Sequence, residues 1–100
     1  MKTEQQLEKE VERALVEMIK KRGGYCLKWV CLGWAGVPDR IILLPGGRVI
    51  FAEVKRPKGG KLSRLQVLWA ETLKRLGFLH VVPRNKDDVA DLAAHIDEIL

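Results

Sequence analysis

Two apolar runs, Ile41-Ile42-Leu43-Leu44 and Val49-Ile50-Phe51-Ala52, flank the turn segment Pro45-Gly46-Gly47. A strand with one wet face alternates apolar and polar residues, so runs that are apolar at every position predict strands covered on both faces. The short Gly-rich connection makes them an antiparallel hairpin. Whatever else the chain forms has to lie over the two faces of that hairpin.

The remaining elements follow from periodicity and punctuation. From Leu7, the positions Leu7, Val11, Ala14, Leu15, Met18 and Ile19 recur at helical spacing, and Gly23-Gly24 follows basic Lys20, Lys21 and Arg22 as a stop. Tyr25 to Leu32 is aromatic and β-branched and predicts a strand, ended by the loop Gly33 to Pro38, with the next strand beginning near Asp39. Ser63 and Gln66 give a capping-box start to a helix running to about Leu76, closed by Gly77. Phe78 to Val82 predicts a short fourth strand, and Asn85 caps a last helix with Asp87 and Asp88 in its first turn. The order α-β-β-β-α-β-α fits a small mixed α/β sheet flanked by helices.

A chain of 100 residues is expected to form one domain, residues 1–100. A domain of this size buries roughly 60% of its unfolded surface, so its stability is modest and a second copy is a natural support. No apolar run approaches the roughly 20 residues that span a bilayer, and the charged opening is no signal peptide; a soluble, cytoplasmic protein without a membrane partner is expected. Eighteen basic against 13 acidic residues, a net charge of +5, favour an acidic partner such as nucleic acid. Cys26 and Cys31 provide no disulfide framework and no CxxC pair, and are expected as buried free thiols on opposite faces of the first strand.

The chemistry-bearing feature is Glu53 and Lys55 at the end of an apolar strand, sharing a face with Val49 and Phe51. Their Cα atoms lie about 6–7 Å apart, so both can converge on one ligand; an ion pair where the strand emerges is the other reading. A three-residue turn centred on Gly46 sets Asp39 opposite Glu53, whereas a two-residue turn shifts the register by one. Opposed residues have Cβ atoms about 4.5–5.5 Å apart, where two carboxylates repel unless a cation lies between them. Mg²⁺ suits such a pair, and Pro38 fits the first position of the strand. Glu8 and Glu12, four apart at the edge of the N-terminal apolar stripe, offer a third carboxylate or simply a solvated face. Gln66 has a capping role that does not exclude a second one. Arg56, Lys58, Lys61 and Arg64 form a basic rim where a phosphate backbone could lie. Trp34 is open between base stacking, anchoring and a dimer contact; Trp29 and Trp69 are assigned to the core, and His80 and His95 to no chemistry.

Gly36-Val37-Pro38-Asp39-Arg40, then Glu53-Val54-Lys55, then Gln66, resemble the PD-(D/E)xK nucleases, and more narrowly their VRR-NUC (virus-type replication-repair nuclease) branch, whose small stand-alone members are typical of phages. The resemblance spans nearly the whole chain. It implies a restriction-endonuclease-like core and a Mg²⁺- or Mn²⁺-dependent phosphodiesterase with no small-molecule cofactor. Asp39, Glu53 and the Val54 carbonyl would bind the metal, Glu12 would be the helix glutamate with Glu8 second choice, and Lys55 and Gln66 would join the catalytic set. Arg40 is then expected to join Arg56, Lys58, Lys61 and Arg64 on DNA.

The function expected is a homodimeric endonuclease of branched DNA that resolves four-way (Holliday) junctions, acting in the host cytoplasm if phage-encoded. A two-fold dimer matches a substrate of two-fold symmetry. The alternatives are a flap- or nick-directed nuclease and a non-catalytic DNA-binding module of the same fold.

Overall fold

The computed structural model describes residues 1–100. Its elements are α1 (Glu4–Lys21), β1 (Tyr25–Lys28), β2 (Arg40–Leu44), β3 (Arg48–Ala52), α2 (Arg64–Arg75), β4 (Leu79–Val81) and α3 (Lys86–Ile99). The sheet order is β1-β2-β3-β4, antiparallel across the first three strands, with β4 added parallel to β3. No helix is long and apolar enough to cross a membrane.

The expected hairpin forms with the three-residue connection: Leu44 faces Arg48 and Arg40 faces Ala52. Gly46 and Gly47 both take positive φ, at 81° and 74°, as this tight return requires. On one side of the sheet Ile42, Leu44, Ile50, Ala52 and Val54 pack against Val11, Leu15, Met18 and Ile19 of α1 and Val89, Leu92 and Ile96 of α3, forming the main core. The other side is covered unequally. Phe51 lies between Trp29, tilted against it, and Phe78, edge-on to it, at centroid distances of 5.1 and 5.2 Å, and α2 buries Ala70 and Leu73. Tyr25, Leu27 and Leu43 on the β1–β2 half of that side remain exposed, so double coverage holds for the β3 side and not for the whole hairpin.

Two other boundaries differ from expectation. β1 stops at Lys28 rather than Leu32. Trp29 still donates its N–H to the Asp39 carbonyl at 2.9 Å, but the chain then leaves the sheet with Val30 and Leu32 in solvent, so Cys31 lies in a loop and both half-buried thiols stay free. The N-terminal helix starts at Glu4 because Thr3 and Gln6 form a reciprocal capping box that adds a turn before Leu7.

The loop from Trp29 to Pro38 is fastened to α2. Trp69 donates its indole N–H to the Ala35 carbonyl at 3.1 Å, Trp34 meets Trp69 edge-on, and Pro38 is fully buried. Gly36 has φ +84°, and a Cβ there would fall 2.5 Å from the Leu65 Cβ and 2.7 Å from its carbonyl carbon. Strained φ and a clash with backbone both oppose a side chain. Gly36→Ala is therefore expected to cost about 1–3 kcal/mol, read as a lower urea midpoint at unchanged m-value.

Candidate functional site

The hairpin register continues one residue past the ladder and sets Asp39 against Glu53. Two reciprocal contacts fix them: the Asp39 N–H donates to Glu53 Oε2 at 2.9 Å, and the Val54 N–H points to Asp39 Oδ1 at 3.4 Å. Beyond β3, the Glu53 N–H donates to the Val81 carbonyl at 3.0 Å and the Lys55 N–H to the Pro83 carbonyl at 3.2 Å. The backbone carrying Glu53, Val54 and Lys55 is thus held from both sides although it lies outside the regular strand.

Glu53 is nearly fully buried and well partnered. Gln66 Nε2 donates to Glu53 Oε1 at 2.7 Å, and Lys55 Nζ stands 3.8 Å from the same oxygen. Gln66 does two jobs with one amide: its Oε1 accepts the Ser63 N–H at 2.8 Å in the capping box while its Nε2 holds Glu53. The start of α2 and the orientation of Glu53 are therefore one structural fact.

The electrostatics of the pair are adverse. Burial, and then the facing Glu53 charge, push the Asp39 carboxyl up to about 7. Burial also raises Glu53, against the lowering effects of the Asp39 N–H and of Lys55. Both α1 glutamates add to the negative field, Glu12 acting on Asp39 and Glu8 on Glu53. A buried and a half-buried carboxyl group that resist ionising together are a donor set that a hard divalent cation would relieve. Side chains alone do not make a cage, since no group of three or more His, Cys, Asp or Glu stands close enough to hold a metal ion.

The structure thus brings together Asp39, Glu53, Val54, Lys55 and Gln66, with Glu8 and Glu12 on the adjoining helix. Of the expected basic rim, Lys58, Lys61 and Arg64 are exposed and Arg56 is partly so. Arg40 departs from the expectation of a phosphate contact. Strand alternation turns it inward, where it is only 9% exposed, with Nη1 on the Cys26 carbonyl at 3.1 Å and Nη2 3.4 Å from Glu12 Oε1. Two supports of the basic loop escaped the sequence reading. Arg84 donates to the Gly60 carbonyl, and Glu4 accepts the Lys58 N–H at 3.2 Å. Both partnerships join distant segments and leave no local pattern. The more pronounced concavities are lined by residues other than Asp39 and Glu53.

No family model matches the chain. Over 80 residues it is 39% identical to "Putative nuclease p44" of Acyrthosiphon pisum secondary endosymbiont phage 1, covering 80% of this chain and 85% of that protein. A solved structure described as "VRR_NUC domain" matches with a TM-score of 0.83 at 28% identity, covering 88% of this chain and 95% of the other.

The raised Asp39 group carries a sign for stability. Between the unfolded aspartate value of about 4 and the folded value of about 7, the folded chain keeps a proton that the unfolded chain has lost. Stability without divalent cations therefore falls as pH rises through that window and levels off above it. Urea unfolding in EDTA at a series of pH values is expected to show this fall, with a clearly flatter profile in Asp39→Asn.

Proposed function

The chain belongs to the VRR-NUC family of nucleases, and on that premise we propose that it is a Mg²⁺- or Mn²⁺-dependent endonuclease of branched DNA, acting on four-way junctions as a homodimer. The observation that carries the reading is the opposition of half-buried Asp39 to buried Glu53, with Lys55 and Gln66 on the Glu53 carboxylate. Such a group destabilises the fold unless it binds something positive.

Asp39 and Glu53 would hold the divalent ion, joined by the Val54 carbonyl and by Glu12 of α1. When bound, such an ion screens charge on the scissile phosphate and lowers the pKa of a bound water toward neutral. Gln66 fixes the orientation of Glu53 without contributing charge. The Lys55 ammonium, tethered beside Glu53, orients the attacking water and offsets negative charge as the phosphorane forms. Arg56, Lys58, Lys61 and Arg64 line the approach for the phosphate backbone, a contact set that positions DNA without reading its bases. Selection by shape follows, which favours branched substrates over a sequence.

The homodimer is supported by the uncovered half of the sheet. Tyr25 and Leu43 are paired neighbours at 68% and 38% exposure, with Leu27 beside them at 45%. Light scattering is expected to give about twice the 11.4 kDa chain mass, with Leu27→Glu reverting to single chains.

Cleavage of labelled four-way junction, flap, duplex and single-stranded DNA in Mg²⁺, Mn²⁺ or EDTA tests the activity. Metal-dependent cutting of the junction is expected, falling about a hundredfold or more in Asp39→Ala and Lys55→Ala. A flap preference keeps the site and changes the substrate, whereas binding without cutting under every condition makes this a non-catalytic module. The double role of Gln66 separates cleanly. Ser63→Ala should cost about 1 kcal/mol of stability with cutting retained, while Gln66→Ala should lose both.

A further inference from the structure

Arg40 is the one buried charge that the proposed chemistry does not use. It occupies a central strand between Asp39, which points to the α2 side, and Ile41, and its own side chain enters the core face with Ile42. An apolar residue there would ordinarily be the more stabilising choice. The cost is compounded because Arg40 Nε is buried with no hydrogen-bond partner. Its remaining nitrogens tie three elements together: Nη1 donates to the Cys26 carbonyl of β1 at 3.1 Å, and Nη2 stands 3.4 Å from Glu12 Oε1 of α1. Glu12 keeps a side-chain exposure of 34%, so the contact leaves part of its carboxylate free. The Glu8 side chain, one turn earlier on the same helix edge, makes neither a hydrogen bond nor an ion pair.

We propose that Arg40 is a positioning residue: its guanidinium, anchored on the β1 backbone, holds the Glu12 carboxylate of α1 near the Asp39–Glu53 pair but short of contact with it, and thereby makes Glu12, rather than Glu8, the helix carboxylate that a bound cation would recruit. The inference rests on the metal-nuclease reading above and adds to it the device that sets the third carboxylate. A helix glutamate has several rotatable bonds, and fixing it before the cation arrives removes part of the entropy cost of binding. A planar fork with one arm on a carbonyl and the other on a carboxylate does this, and a lysine does not.

The proposal makes a prediction opposite in sign to simple electrostatics. Deleting a positive charge near a cation site should by itself tighten cation binding, whereas losing the positioner should weaken it. Mn²⁺ binding, followed by the loss of the free-ion paramagnetic resonance signal, is to be measured for the native chain, Arg40→Gln, Arg40→Lys, Glu12→Gln, Glu8→Gln and the double variants. The expected result is about tenfold weaker binding in Arg40→Gln. Arg40→Lys, which keeps the charge without the fork, should also bind more weakly. In the Glu12→Gln background the Arg40→Gln effect should vanish, and in the Glu8→Gln background it should persist in full.

Tighter binding in Arg40→Gln, or an effect that survives unchanged without Glu12, overturns the role. So does native affinity in Arg40→Lys. Thermal melts in EDTA for Arg40→Lys, Glu12→Gln and the pair guard against misfolding: a cooperative melt qualifies a variant, and an Arg40–Glu12 coupling in the absence of metal is expected. A native chain that neither binds Mn²⁺ nor cuts DNA sinks the nuclease reading itself, which a normal native chain with an indifferent Arg40 does not.

Discussion

The register of one hairpin governs the chemistry of this protein. Because Pro45-Gly46-Gly47 makes a three-residue return, Arg40 pairs with Ala52, and the next step outward sets Asp39 against Glu53. A slip by one residue would turn every side chain of one strand to the opposite face and separate the two carboxyl groups. The apolar residues that hold the register, Ile42, Leu44, Ile50 and Ala52, are the same ones that fill the core beneath α1 and α3. Hydrophobic burial in the middle of the sheet thus supplies the force that keeps two mutually repelling acids together at its end.

Alternation along β2 then divides the labour. Asp39 projects toward the side on which α2 delivers Gln66, and Arg40 toward the side on which α1 delivers Glu12. The sheet end is approached by a helix from each face, each contributing one polar side chain. The parallel addition of β4 completes the arrangement by holding the Glu53 and Lys55 amides after the regular strand has ended.

Much of this was legible in residue order. Two continuous apolar runs with a glycine turn were sufficient for the hairpin, and the caps Ser63 and Asn85 for two helix starts, while the opposition of Asp39 and Glu53 followed from one of two possible turn lengths. The parts that were not legible share a physical cause. Trp29 to Leu32 has strand-like composition, yet whether a residue stays in a sheet depends on a partner strand, and beyond Trp29 none is in reach. Arg40, read among its basic neighbours, looks like a surface residue; its burial depends on Glu12 and Cys26, which are adjacent only after folding. The Thr3–Gln6 box is a local signal, but it lies outside the apolar stripe, which starts four residues later at Leu7.

The shared amide of Gln66 has a dynamic consequence. Helix ends open and close far more often than whole domains unfold, and the first turn of α2 is closed by the same side chain that steadies Glu53. Each fraying event at Ser63 also removes one of the contacts that orient the carboxylate, leaving the Asp39 N–H and Lys55 to hold it. The lifetime of that turn therefore sets a clock on the order of the centre, and a substrate whose backbone braces Arg64 at the head of α2 would slow the clock just when the acids need to stand still.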